Sequence, residues 1–286
     1  MSKDEETVPG LLYIAATPIG NLEDITLRCL RVLGEVDLIA AEDTRHTRKL
    51  LTHFEISTPL ISYYREKEVE RSKQLVERLL AGESIALVSD AGTPGISDPG
   101  AILVAQARIA GISIVPLPGA SALTTALSAA GIMNPHFLFL GFAPSKKSQR
   151  RSLLTSLKNS SWPLVFYESP RRIQGLLSDI LEILGDRQGF WARELTKTFE
   201  ELKSCKVSTL LELAASKKNR GEFVLIIEPD KLICAEGENL SELLLWYRDN
   251  TSLTLKDVSR KLAGDLGLSR SKVYQEALRI FKEKTD

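Results

Sequence analysis

Short apolar runs alternate with amphipathic stretches from about Leu11 to Leu117. The runs Leu12 to Ala16, Val36 to Ala41, Leu60 to Ser62, Ile85 to Val88 and Ile112 to Leu117 are too short for helices, and they predict buried strands. Between them, Glu68 to Ala81 places Val69, Val76, Leu79 and Leu80 at helical spacing and stops at Gly82, a residue suited to a left-handed cap. A second helix, Ala101 to Ala110, stops at Gly111. Strand, helix and strand at this spacing predict right-handed crossovers and a mainly parallel sheet.

The alternation resumes after Ala130-Gly131. Strands are expected at Phe137 to Phe142, Leu164 to Glu168, Gly189 to Arg193 and Phe223 to Glu228, around helices near Arg150 to Leu157 and Ile173 to Leu184. A polar stretch, Pro229 to Asn239, leads into a helical tail. There Leu255, Val258, Leu262 and Leu266 share one helix face, and Val273, Ala277, Leu278 and Ile280 belong to a second helix beyond the turn and N-cap Gly267-Leu268-Ser269. The pattern predicts two dissimilar α/β domains, 11–118 with a mainly parallel sheet and 119–230 with a mixed one, hinged near Pro118-Gly119. A helix-turn-helix-like tail covers 239–286.

Three loops in the first half place Gly and Pro directly after a strand: Thr17 to Asn21, Ser89 to Gly95 and Pro118 to Ser121. Such residues turn the backbone sharply and let it approach a ligand. Ligands of open α/β sheets sit outside those strand ends, so the repetition points to one small-molecule site. Neither G-x-G-x-x-G nor G-x-x-x-x-G-K-[ST] is present, so dinucleotide and phosphate-loop chemistry are not indicated.

Composition narrows the picture. Lys+Arg and Asp+Glu balance at 37 each, so a polyanion must be met by local patches. Cys29, Cys205 and Cys234, like His46, His53 and His136, lack metal-ligand spacing, and no metal is expected. Met1 to Thr7 is polar and acidic, unlike a signal peptide, and no apolar run reaches the roughly 18 residues of a membrane helix, so a cytoplasmic protein is expected.

Ala41-Glu42-Asp43-Thr44-Arg45 adds two acids and a base just past a buried strand, where charges must be solvated in a cleft or paired. This string joins Ala16 to Thr26, Val88 to Pro94, Asp98-Pro99-Gly100, Phe166 to Pro170, Ala192 to Lys197 and Gly221-Glu222. Together, from Leu11 to nearly the C-terminus, they resemble the ribosomal RNA small subunit methyltransferase I family of the tetrapyrrole methylase superfamily. The resemblance implies S-adenosylmethionine-dependent 2′-O-methylation of a cytidine ribose in 16S rRNA, at the decoding centre of the small ribosomal subunit, by a homodimer. It also implies a cofactor cleft between the two α/β domains, touching Ile19, Gly92, Thr93, Ile96, Ser121, Ala122, Glu168 and Leu195. Relatives tend to carry His and Asn where this chain reads Tyr63 to Glu68, so a histidine base from that loop is not expected.

A ribose hydroxyl is a weak nucleophile at neutral pH, which asks for a base. Glu42, Asp43, Glu168 and Glu194 are candidates, with Arg45, Arg193 and Lys197 orienting phosphate or lowering the hydroxyl's pKa. The alternative is that Asp43 and Arg45 hold each other and cap a helix at Thr44. For RNA, Lys146, Lys147, Arg150, Arg151, Arg171 and Arg172 form the strongest local basic patches. Tyr63, Tyr64 and Phe142 are candidates for stacking on a base. A small-molecule methylase on the same fold is the competing reading. A non-enzymatic sensor with a DNA-binding tail is a third. From Glu238 onward nine Lys or Arg face eight Asp or Glu, so sequence-specific DNA binding is not expected of the tail.

Overall fold

Apolar runs that are buried on both faces can only be strands covered by helices on each side, and the first half of the chain is built that way. The computed structural model describes residues 8–216, 221–230, 238–251, 253–266 and 268–282. Cys234, Gly267 and Met1 to Thr7 lie outside them. In chain order the elements of the first half are β1 (Leu12–Ala15), α1 (Leu27–Glu35), β2 (Leu38–Ala41), α2 (Thr44–His53), β3 (Leu60–Ser62), α3 (Glu68–Leu80), β4 (Ile85–Val88), α4 (Ala101–Ile109) and β5 (Ile114–Leu117). The strands form one parallel sheet in the order β3-β2-β4-β1-β5. β2 and β4 are wholly buried. Thr26 and Asp43 cap α1 and α2 by accepting the backbone N–H of Cys29 and Arg45.

The second half continues with α5 (Ala122–Ala130), β6 (Leu138–Phe142), α6 (Lys147–Ser156), β7 (Leu164–Glu168), α7 (Ile173–Leu184), β8 (Gln188–Arg193), β9 (Glu201–Lys206), α8 (Val207–Ser216) and β10 (Phe223–Ile227). Its sheet runs β6-β7-β10-β8-β9 and is mixed, with only β6 and β7 parallel. One core packs α6, α7 and α8 on this sheet through Leu154, Leu176, Ile180, Trp191, Leu210 and Leu225.

Two expectations need correction. Val69 and Leu80 of α3 face solvent, because the buried stripe runs through Ser72, Leu75 and Leu79 and so faces α4. Tyr63 is buried, its hydroxyl bonded to Ser72 and Glu68, and is not available to stack on a base.

Both sheets belong to one compact unit, which runs to Lys158 and resumes over Trp162–Glu228; Asn159–Ser161 and the chain from Pro229 form another. That second unit holds α9 (Glu238–Asn250), α10 (Leu255–Leu266) and α11 (Arg270–Lys282). They share a core of Leu240, Leu244, Val258, Leu262, Val273, Ala277 and Ile280. Ser269 accepts the Lys272 backbone N–H at 3.3 Å, as an N-cap does. Among the described residues no helix is long and apolar enough to cross a membrane.

Candidate active site

The loops after β1, β4 and β5 are tied to one another by hydrogen bonds their sequences make possible. Thr17 and Gly92 exchange backbone hydrogen bonds, both at 2.9 Å, and the Thr17 hydroxyl donates to Ser89 O at 3.1 Å. Thr93 Oγ1 donates to Ala120 O at 3.1 Å. Gly92 has φ +82°, a conformation that favours glycine, and a Cβ there would press on Ile19 Cγ2 at 3.3 Å. Three loops become one rigid wall.

The facing wall comes from the ends of β6, β7 and β8 and the start of β10. A hydrogen bond joins the two walls, since Leu123 N donates to Tyr167 Oη at 3.0 Å. The loop Glu194 to Lys197 holds Glu194 and Thr196 at φ +51° and +66°, a left-handed conformation that costs a non-glycine residue energy and persists where surroundings enforce it. Here Lys197 Nζ bonds Glu194 Oε1 at 2.7 Å, and the Glu194 carboxyl lies where a side chain on Gly221 would stand.

Between the walls is a cleft of about 280 Å³. Ile19, Gly92, Thr93, Ile96, Ser121, Ala122, Glu168 and Leu195 all line it, as do Glu42, Glu194 and Lys197. Asp43 and Arg45 do not. Asp43 caps α2 and chelates Arg45, at 3.1 Å to Nε and 2.8 Å to Nη2, and this pairing holds its carboxyl down at about 2. Only its backbone faces the cleft side, donating to Asp90 Oδ1 at 2.9 Å.

Reading the sequence assigned no role to Asp90, Asp98, Tyr167 or Glu222, which also line the cleft. The signal was present, because all four stand inside the strings that carry the resemblance. Six carboxylates, Glu42, Asp90, Asp98, Glu168, Glu194 and Glu222, therefore face one lysine, Lys197, across the lining. Burial, then the charges of Asp98 and Asp90, raise the Glu42 pKa, with Arg65 opposing. Asp98 is raised by burial and by Asp90. Burial alone would raise Glu194, but Lys197 and the Glu222 N–H outweigh it and hold the group low.

Glu168 is almost fully buried. Its Oε1 accepts from Ser169 N at 2.8 Å and pairs with Arg172 at 3.2 Å, while its buried Oε2 has no hydrogen-bond partner among the described residues. Among the described residues no group of His, Cys, Asp and Glu is arranged to hold a metal ion.

The basic residues expected to meet RNA divide. Lys146, Lys147 and Arg171 are exposed. Arg150 is buried, paired with Asp179 at 2.6 Å, and cannot reach a phosphate. Arg151 is clasped by Asp179 and Glu182, and Arg172 by Glu168 and the carbonyl of Ala143, so those charges are already answered. Phe142 is about half exposed at the cleft rim, where stacking remains open to it.

The family description of the tetrapyrrole (corrin/porphyrin) methylases matches residues 11–211. Ribosomal RNA small subunit methyltransferase I of Halalkalibacterium halodurans is 42% identical over 276 residues, 93% of each chain. The protein of the same name from Vibrio cholerae is 51% identical over 78% of this chain and 80% of its own. The chain belongs to the ribosomal RNA small subunit methyltransferase I family. The fold is shared with more distant solved structures. A crystal structure of diphthine synthase superposes with a TM-score of 0.61 at 15% identity, over 77% of this chain and 90% of that one.

Proposed function

We propose that this protein is an S-adenosylmethionine-dependent methyltransferase acting on the 2′-hydroxyl of a cytidine ribose in 16S rRNA, at the decoding centre of the small ribosomal subunit. The observation that carries the reading is the acidic, rigid cleft in a chain of this family. A cofactor with a sulfonium and an ammonium group suits walls with six carboxylates and one lysine. Glu168 Oε2, without a hydrogen-bond partner among the described residues, offers a buried acceptor for a cofactor N–H or O–H donor, and Gly92, at φ +82°, brings loop backbone to the cleft lining. Ile19, Ser121, Ala122 and Leu195 supply the apolar and backbone surfaces an adenosine needs. A tetrapyrrole acceptor would want a broad apolar trough, which a rim of Glu42, Asp98 and Glu222 does not provide.

Bound cofactor supplies an electrophilic methyl group. The chain itself supplies alignment and a base. Loops locked to one another fix the position of the reacting groups without reorganisation, the main source of acceleration for an in-line transfer. Glu42, with its pKa raised by burial and by Asp98 and Asp90, is the carboxylate best matched to take the hydroxyl proton as the new bond forms. Lys197 holds Glu194 ionised beside it.

Labelled methyl transfer into small subunits that lack native methylation, followed by mapping of the product, tests the reading. A 2′-O-methylcytidine in 16S rRNA is expected, and Glu42→Gln should lower the single-turnover rate by roughly 10²-fold or more with cofactor affinity retained. Absence of transfer, or a methyl group on a base, refutes it.

A further inference from the structure

The outward face of α2 groups exposed basic side chains with no acidic residue among them. Arg45, His46, Arg48, Lys49 and His53 are exposed, Thr47, Leu50 and Leu51 are buried, and Thr44 to Phe54 contains no acidic residue. Arg48 and Lys49 have no acidic partner among the described residues, whereas Arg150, Arg151 and Arg172 are held by carboxylates. Arg45, though paired with Asp43, keeps its side chain 88% exposed.

This face also lies beside the cleft. Asp90 lines both the cleft and a neighbouring hollow of about 160 Å³ that reaches His46 and Lys49. Lys49 in turn lines an outer groove with Arg45, Arg48 and His53. A track of positive charge thus leads along α2 to the edge of an acidic cleft that itself repels polyanions.

Resting on the methyltransferase reading above, we propose that the exposed face of α2 docks the phosphodiester backbone of the RNA next to the acceptor nucleotide. Phosphate contacts give affinity and register, and only the acceptor ribose needs to enter the carboxylate-lined cleft. The separation has a physical reason, since phosphates are attracted to α2 and excluded from the walls that hold a cationic cofactor.

The test is a salt titration of binding to small ribosomal subunits that lack native methylation, comparing the wild-type protein with the double variant Arg48→Gln, Lys49→Gln. Two lost single-strand phosphate contacts predict about tenfold weaker binding near 0.15 M salt and a slope of log K against log salt shallower by about 1.4. Calorimetric affinity for S-adenosylmethionine and the melting temperature should be unchanged, because both side chains are exposed and lie off the cleft wall. Unchanged affinity and slope, with wild-type methyl transfer intact, overturns the docking surface and leaves the activity standing. Weakened binding by the variant, in a wild-type protein that transfers no methyl group, supports the surface and overturns the activity. A wild-type protein with no measurable affinity for the subunit overturns both.

Discussion

Asp179→Ala should unfold the second half of the α/β unit far more readily than any loss of surface charge. The Asp179 side chain on α7 is 3% exposed and accepts from Arg150 Nε at 2.8 Å, with Arg150 Nη2 at 2.6 Å and Arg151 Nη1 at 3.1 Å. Arg151 keeps Glu182 after the change, but the Arg150 guanidinium, 10% exposed, loses its counter-charge. Leaving one member of a buried pair uncompensated costs about 3–5 kcal/mol. For a unit of roughly two hundred residues, each kcal/mol moves the melting temperature about 2–4 °C, so a fall of roughly 6–20 °C is expected. Urea denaturation followed by tryptophan fluorescence reads this directly, since Trp191 lies in the core that α7 covers. The double change Arg150→Met, Asp179→Leu should recover most of the loss, because an apolar pair of similar volume replaces the ions without leaving either alone. A loss below about 1 kcal/mol for Asp179→Ala would refute the reasoning. So would an Arg150→Met variant that weakens RNA binding with stability unchanged, because that would return Arg150 to the RNA surface.

Gly92→Val places a β-branched residue at φ +82° and a Cβ 3.3 Å from Ile19, so calorimetry should find S-adenosylmethionine binding at least tenfold weaker; unchanged affinity would remove Gly92 from the cofactor wall. For Asp98→Asn the sign follows from the raised pKa values of Asp98 and Glu42. Stability tied to their protonated forms is lost as pH rises from the ordinary carboxylate range through the folded values, so the variant should lose less stability over that window. It also removes a like charge from beside Glu42, and the acid limb of kcat/KM should move to lower pH. A limb that stays in place would separate Glu42 from the proton transfer.

Strands that pack on both faces were legible because burial writes itself as apolar runs, as in Ile85–Val88 and in β7 up to Tyr167. β9, reading ELKSCK, was not, since an edge strand with most side chains in solvent carries neither alternation nor an apolar run. α5 and α8 were missed for a different reason. Their Ala, Ser and Thr residues blur the amphipathic stripe that made α3 visible. At the site, the Gly-Pro loops and the acids after β2 could be read directly, but the partnership of Asp90 and Asp98 with Glu42 depends on bringing loops some fifty residues apart onto one wall. The burial of Arg150 was equally hidden, because a cation in a basic run looks the same whether its counter-charge is solvent or an aspartate 29 positions away.

The position of β1 in its sheet bears on how the chain is made. β1 lies between β4 and β5, so both of its edges stay open until Ile85–Val88 and Ile114–Leu117, later in the chain, have followed it. Until then its apolar residues depend on transient cover, and exposed apolar surface with unpaired strand edges favours association with other chains. A cofactor bound in the cleft proposed above would not shorten the wait. That cleft is lined by Glu222, Phe223 and Val224, which arrive with the start of β10. Ligand binding can therefore deepen the stability of the finished fold by mass action, but it cannot template the early steps.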